Sequence, residues 1–248
     1  TTPDEHYEQI RTMLIEGKHV LCESPIASSG KECKELFELA KKQKCVLMEG
    51  IKTAYSTAYS RLLLLAKSGE IGKIVSVDAT CTSMRDDLDS LENKWNSISA
   101  WGPTALLPIF QLLGINYTDK KIISHYIDDD KMFDGFTKID FIYPDSVASI
   151  KVAKTAKSEG ELIITGTKGY IYVPAPWWKT DYFEIRYEDP TENKRYFYKL
   201  DGEGIRYEIV AFNRSIESGK NYSYIDSKIS IAISEIIEAC KSNNVIEI

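Results

Sequence analysis

Along the first seventy residues the apolar positions keep two alternating rhythms. Ile10, Met13, Leu14 and Ile15 recur at helical spacing, and so do Cys33, Leu36, Phe37, Leu39 and Ala40 further on. Two short runs, His19-Val20-Leu21-Cys22 and Cys45-Val46-Leu47-Met48, have strand length and suit strands buried in a parallel sheet. The pattern predicts a helix capped by Asp4, a strand over 19–22, a helix over about 31–42, a strand over 45–48, and a helix over about 55–68 closed by Gly69. Alternation of strand and helix is the mark of parallel α/β units, and two or three such units are present.

After Gly72 the rhythm changes. Residues 73–82 alternate as an antiparallel strand should, 84–98 are polar and read as a loop, and a helix is expected over about 102–113. From 121 to 199 short β patterns follow one another, with turns expected at Asp134-Gly135, Tyr143-Pro144-Asp145, Glu159-Gly160 and Lys168-Gly169. Helices over about 204–218 and 226–241 close the chain. The division is therefore an α/β unit over 1–72 and an α+β domain on a large, mostly antiparallel sheet over 73–248. One face of that sheet should lie under helices. The other, rich in Tyr, Phe and Trp, is a candidate surface for homo-oligomer formation.

Composition narrows the function classes. With 43% hydrophobic and 27% charged residues the chain reads as an ordinary soluble globular protein. A net charge of −6 argues against a broad nucleic-acid surface. Leu62-Leu63-Leu64-Leu65-Ala66 is far short of the roughly 20 apolar residues a membrane helix needs. The five cysteines match no zinc spacing and read as buried free thiols, which points to a reducing cytoplasm. Asp128-Asp129-Asp130 reads as a solvated loop and His125 as structural, so no metal is expected.

The chemistry should sit at the turn Glu23-Ser24-Pro25, because ligands of open parallel sheets bind beyond the carboxyl ends of the strands. Lys52 follows the second strand in the same way and could bring a cation beside Ser24. Trp101, Thr104, Trp177 and Trp178 could line a pocket, since aromatic rings stack on sugars and nicotinamide.

The stretch Gly17-Lys18-His19-Val20-Leu21-Cys22-Glu23-Ser24-Pro25 resembles the Gly-Lys-His-Val-Leu-Cys-Glu-Lys-Pro segment of the glucose–fructose oxidoreductase and inositol dehydrogenase (Gfo/Idh/MocA) family. Three further stretches match in order: the strand and helix from Val46, the Gly166-Thr167-Lys168-Gly169 hairpin, and the helix around Tyr207 to Gly219. The resemblance implies the C-terminal part of a Rossmann-like domain followed by a substrate and oligomerisation domain. It also implies NAD or NADP as cofactor and a sugar, cyclitol or nucleotide-linked sugar as substrate. By the family pattern Thr2, Pro3, His6, Glu23, Ser24 and Pro25 pass the cofactor.

The departures matter as much. The family's lysine is replaced by Ser24, its polar residue near position 54 by Ala54, and its aspartate and histidine on the helix at 102–113 by Pro108 and Leu112. No Gly-x-Gly-x-x-Gly turn occurs in the 248 residues, so the chain is expected to be N-terminally truncated and to hold the cofactor poorly by itself. The alternatives are an inactive relative that binds a ligand, or a domain of a larger fused protein serving oligomerisation. Lys52 and Ser24 are the expected catalytic pair, and Lys52 stands in for the missing lysine.

Overall fold

The computed structural model describes residues 1–84, 95–242 and 244–248. Helix α1 (Pro3–Ile15) starts with Thr2 as its cap, whose amide donates to Oε2 of Glu5 at 3.4 Å. Asp4, the expected cap, lies inside the first turn, where a negative charge suits the helix dipole. Strand β1 (Val20–Glu23) leads to α2 (Gly30–Lys42), whose cap Ser29 accepts from the amide of Glu32 at 3.2 Å. Strand β2 (Leu47–Gly50) begins two residues later than the apolar run suggested and is buried throughout. The two strands pair in parallel, Val20 opposite Leu47 and Glu23 opposite Gly50. Among the described residues no strand covers the other edge of β1. A 3-10 turn over Lys52–Tyr55 precedes α3 (Thr57–Lys67), and Gly69 beyond its end has φ +84°.

Among the described residues the second sheet has nine strands, with β3 (Ile74–Thr82) at its centre. On one side β3 runs antiparallel to β7 (Leu162–Gly166), as expected; on the other it runs parallel to β6 (Val147–Ala153). Alternation records which face is buried and is blind to the direction of the neighbour. Beyond β6 lie β5 (Asp134–Ile142), β4 (Asp119–Tyr126) and β11 (Val245–Glu247). Beyond β7 lie β8 (Tyr170–Val173), β9 (Tyr182–Arg186) and β10 (Lys194–Phe197). Asp134-Gly135 opens β5 instead of forming the expected turn. The Asp134 carboxylate is buried there, accepting from the Ile98 amide and the Thr137 hydroxyl.

That carboxylate and Asn96 cap α4 (Ser97–Leu113), which starts earlier than expected and runs through Pro103 and Pro108. An interior proline costs a helix about 3 kcal/mol. Burying Leu106, Leu107, Ile109 and Phe110 against the inner face of the sheet contributes about 1.5–3 kcal/mol each, so packing prevails. The expected loop at 84–98 thus loses its last residues to α4, and 85–94 lie outside the described residues.

The outer face of the sheet is mixed. Its centre carries Asp78, Lys138, Asp140, Ser149 and Lys151 on neighbouring strands, with Lys138 and Asp140 paired at 2.6 Å. Its aromatic residues gather at the β8–β10 end, where Arg186 lies 4.5 Å over the ring of Tyr172, with Phe136 on β5 in addition. Trp177 is not on this face; it is fully buried and donates its indole proton to the Thr80 carbonyl. Helix α5 (Ile205–Ser218) is followed by α6 (Ser227–Ala239), which packs on both α2 and α4. The amide of Gly30 donates to Oε2 of Glu238 there at 3.1 Å. Cys33, Cys81 and Cys240 are buried as expected, whereas Cys22 and Cys45 are half-buried; all five are free.

Candidate functional site

Two clefts meet at the carboxyl ends of β1 and β2 and share Glu23, Ser24 and Ala100. The larger, about 700 Å³, runs along the whole free edge of β1 and the facing side of α1. Thr1, His6 and Gln9 supply its polar groups; Ile10, Met13, Val20 and Trp95 are on its walls. His6 is buried rather than on the surface. Its Nδ1 lies 2.7 Å from the carbonyl of Pro25 and its ring meets Trp95 edge-on at 6.2 Å. The helix therefore fixes the Glu23-Ser24-Pro25 turn from below. Thr2 and Pro3 form the capped start of α1 beside the cleft.

The smaller cleft, about 360 Å³, is lined by Lys52, Thr53, Trp101, Thr104, Trp178, Lys179 and Glu203 as well as the shared residues. Trp101 donates to the Ser83 hydroxyl and packs on Trp178 at 4.9 Å between ring centres. Thr53 donates to the Trp178 carbonyl at 2.8 Å, which ties this wall to the turn after β2. Of the aromatic residues expected to line a pocket, Trp101 and Trp178 do so and Trp177 does not. Thr104 is in place. Lys52 and Ser24 border the same cleft, as the strand-end argument required.

Their partners were not foreseen. The Ser24 hydroxyl donates to Oε1 of Glu49 at 2.5 Å, and Glu49 is only 2% exposed. Burial pushes the Glu49 carboxyl up, with the hydrogen bond from Ser24 opposing. Lys52 pairs with Glu203 at 3.7 Å and not with its neighbour Glu49. Glu208, on the first turn of α5, presses on Gly50 so closely that a Cβ there would lie 2.8 Å from its Oε1. Burial pushes its carboxyl to about 7, the nearby Glu23 adds to this and Lys52 opposes it. None of these contacts has a sequence signal, because the partners lie 25 residues apart or far more, in ways no period encodes. Ala54 is buried, as are Pro108 and most of α4, so no proton carrier stands at those positions.

A dinucleotide can be tested against this donor set. The larger cleft, with amide, hydroxyl and imidazole groups opposite an apolar wall, fits the nicotinamide end. None of its described lining residues is cationic or part of a glycine cradle, so the residues present do not fit the pyrophosphate. Groups of three or more metal-ligating side chains are absent among the described residues. No described helix is long and apolar enough to cross a membrane.

Comparison with known proteins agrees with this arrangement. Residues 1–51 match the family described as "Oxidoreductase family, NAD-binding Rossmann fold". Scyllo-inositol 2-dehydrogenase (NADP(+)) IolU of Bacillus subtilis is 44% identical over 57 residues, 23% of this chain and 17% of that protein. D-xylose 1-dehydrogenase (NADP(+)) of Hypocrea jecorina is 35% identical over 74 residues, 29% of this chain and 19% of that protein. The matched stretches thus span about a fifth of these relatives' lengths. KijD10, a 3-ketoreductase from Actinomadura kijaniata solved with NADP and TDP-benzene, has the same fold over 100% of this chain and 77% of its own, with a TM-score of 0.84 at 16% identity. An aldose-aldose oxidoreductase from Caulobacter crescentus covers 97% of this chain and 74% of its own, with a TM-score of 0.82 at 17% identity. With the NAD-binding sequence pattern over residues 1–51 and the shared fold over its length, the chain is similar to the NAD(P)-binding glucose–fructose oxidoreductase and inositol dehydrogenase family.

Proposed function

We propose that this chain forms the substrate side of an NAD(P)-dependent oxidoreductase acting on a sugar, cyclitol or nucleotide-linked sugar. The observation that carries the reading is the convergence of the two clefts at Glu23 and Ser24, one with an aromatic wall and one shaped for a flat polar ring. A dinucleotide with its nicotinamide end in the larger cleft would supply hydride exchange. The chain's own residues bind and orient. Trp101 and Trp178 offer rings to the apolar face of a sugar, and Thr53, Thr104 and Glu23 lie at its edges. Lys52 is the cation on this wall nearest in sequence to a strand end and is the residue we assign to proton transfer at the substrate hydroxyl. Residues 1–72 act as half of the nucleotide-binding unit and 73–248 as the substrate domain, which dimerises or forms tetramers through the outer sheet face.

Titrating the protein with myo-inositol, D-xylose and a nucleotide-linked sugar while following tryptophan fluorescence tests the cleft. One of them should quench Trp101 and Trp178, and Trp178→Ala should remove that change; a flat response to all three would sink the reading. Calorimetry with NAD and NADP on these 248 residues should show nothing tighter than about millimolar, some 4 kcal/mol. Micromolar binding would place the phosphate site within residues we have read otherwise.

A second reading, a ligand-binding relative without turnover, is favoured by one contact. Ser24 is engaged by buried Glu49, and it stands where the family keeps a lysine.

A further inference from the structure

The smaller cleft has a feature its assignment as a substrate site does not use. Lys52 comes from the 3-10 turn after β2, Lys179 from the 3-10 turn over Trp177–Lys179 after β8. Both ammonium groups converge on one carboxylate. Lys179 Nζ lies 2.5 Å from Oε1 of Glu203, and Lys52 Nζ lies 3.7 Å from its Oε2. One oxygen faces each cation, which is how a bound carboxylate or phosphate would bridge two lysines.

Glu203 is held there by its backbone. Gly202, Glu203 and Gly204 are three consecutive residues in the left-handed region, with φ of +65°, +53° and +92°. Glycine takes that conformation freely, whereas a residue with a Cβ is disfavoured there by about 1–2 kcal/mol. Gly204 is packed so tightly that a Cβ would lie 2.1 Å from the Lys52 carbonyl oxygen. The turn is thus pressed against the element that carries Lys52 and aims Glu203 at both lysines.

We propose that Lys52 and Lys179 form an anion subsite of the substrate cleft, and that Glu203 occupies it until the carboxylate or phosphate of a substrate displaces it. The proposal rests on reading this cleft as the substrate site. Three observations support it. The lysines draw the Glu203 carboxyl below the usual carboxylate range, so it is an ionised stand-in for an anionic ligand. All three side chains are between 42% and 47% exposed, so exchange needs no unfolding of the core. Exposed ion pairs of this kind contribute about 0–1 kcal/mol each, weak enough for a ligand held also by the aromatic wall to replace them. With Glu203 turned away, the cleft lining keeps Lys52 and Lys179 against Glu23 alone, a net charge of +1.

The test uses the whole chain, as wild type, Glu203→Gln and Lys179→Ala, at constant ionic strength. Each is titrated with D-gluconate, D-glucose 6-phosphate and D-glucose, following tryptophan fluorescence. Lys179 is truncated rather than Lys52 because Lys52 is assigned to proton transfer. Glu203→Gln should tighten an anionic sugar roughly tenfold, and Lys179→Ala should weaken it by a similar factor. D-glucose should change by less than about twofold in both. Tightening of gluconate alone identifies a carboxylate, and of glucose 6-phosphate alone a phosphate. If D-glucose binds but Glu203→Gln leaves both anions unchanged, the subsite is wrong while the cleft assignment stands. If none of the three binds to any variant, both are wrong.

Discussion

The hydroxyl of Ser24 donates to Oε1 of Glu49 at 2.5 Å, and the two residues lie at the carboxyl ends of neighbouring strands of the small parallel sheet, Ser24 just beyond β1 and Glu49 next to the last residue of β2. Its consequence is that position 24 is anchored to a buried carboxyl. Ser24→Ala removes the donor and leaves Glu49 less satisfied, at a cost of about 1–3 kcal/mol. For a chain of this size that lowers Tm by about 2–4 °C per kcal/mol. A melting curve unchanged in Ser24→Ala would show that the bond adds nothing. Ser24→Lys sets an ammonium group beside Glu49 and should raise turnover on the substrate found by fluorescence.

Lys52→Ala should lower turnover by at least about 10², the lower bound for loss of a proton-transferring group, with cofactor affinity largely intact. Steady-state kinetics in the protein as it occurs in the cell decide this. Unchanged turnover would remove Lys52 from the reaction.

Buried carboxyls set the pH response of stability, with Glu49 raised in the same direction as Asp134 and Glu208. Burial pushes both Asp134 and Glu208 to about 7, above the ordinary carboxylate range. Between about pH 4 and 7 the folded chain keeps protons that the unfolded chain has released, so stability falls as pH rises through that window and levels off above it. Urea midpoints should decline accordingly, and Asp134→Asn or Glu208→Gln should each flatten the decline. A midpoint that rises across the window in wild type and both variants would refute the assignment.

Gly204 and Gly219 both have positive φ, +92° and +66°, but differ in space. Nothing lies within 4 Å of a Cβ at Gly219, so Gly219→Ala carries only the conformational cost of about 1 kcal/mol. At Gly204 the Lys52 carbonyl blocks the position, and Gly204→Ala should cost more than about 3 kcal/mol. Equal losses in chemical denaturation would mean that the turn yields.

The outer sheet face can be tried directly. Sedimentation velocity at tens of micromolar should give a dimer or tetramer. Ile142 and Val147, opposite each other on β5 and β6 and each 49% exposed, are the positions where Asp should dissociate it. A monomer in wild type would end that proposal.

Much of this architecture was legible because local rules and global packing agree. The apolar stripe of α2, the run of β2 and the glycine after α3 each had a physical reason that tertiary structure kept. Other features lay beyond any local rule. α4 passes through two prolines because its burial outweighs their cost. β3 pairs in both directions, which alternation cannot express. At the site, the strand-end argument correctly brought Ser24, Glu23 and Lys52 to one cleft. It could not find Glu49, Glu208 or Glu203. Carboxylates become special here through burial or through the cations they meet, and both depend on elements far along the chain. Trp177 and Trp178 are adjacent and chemically identical, so only the packing of the 3-10 turn decides that one is core and the other wall.

The contact between α2 and α6 bears on how the protein is made. The bond from Gly30 to Glu238 spans 208 residues, and a ribosome adds about 5–20 residues per second. The apolar side of α2 that α6 covers therefore waits on the order of 10–40 s after its own synthesis. During translation the first unit is an unfinished surface, and a helix about 200 residues further along the chain is the one that closes it.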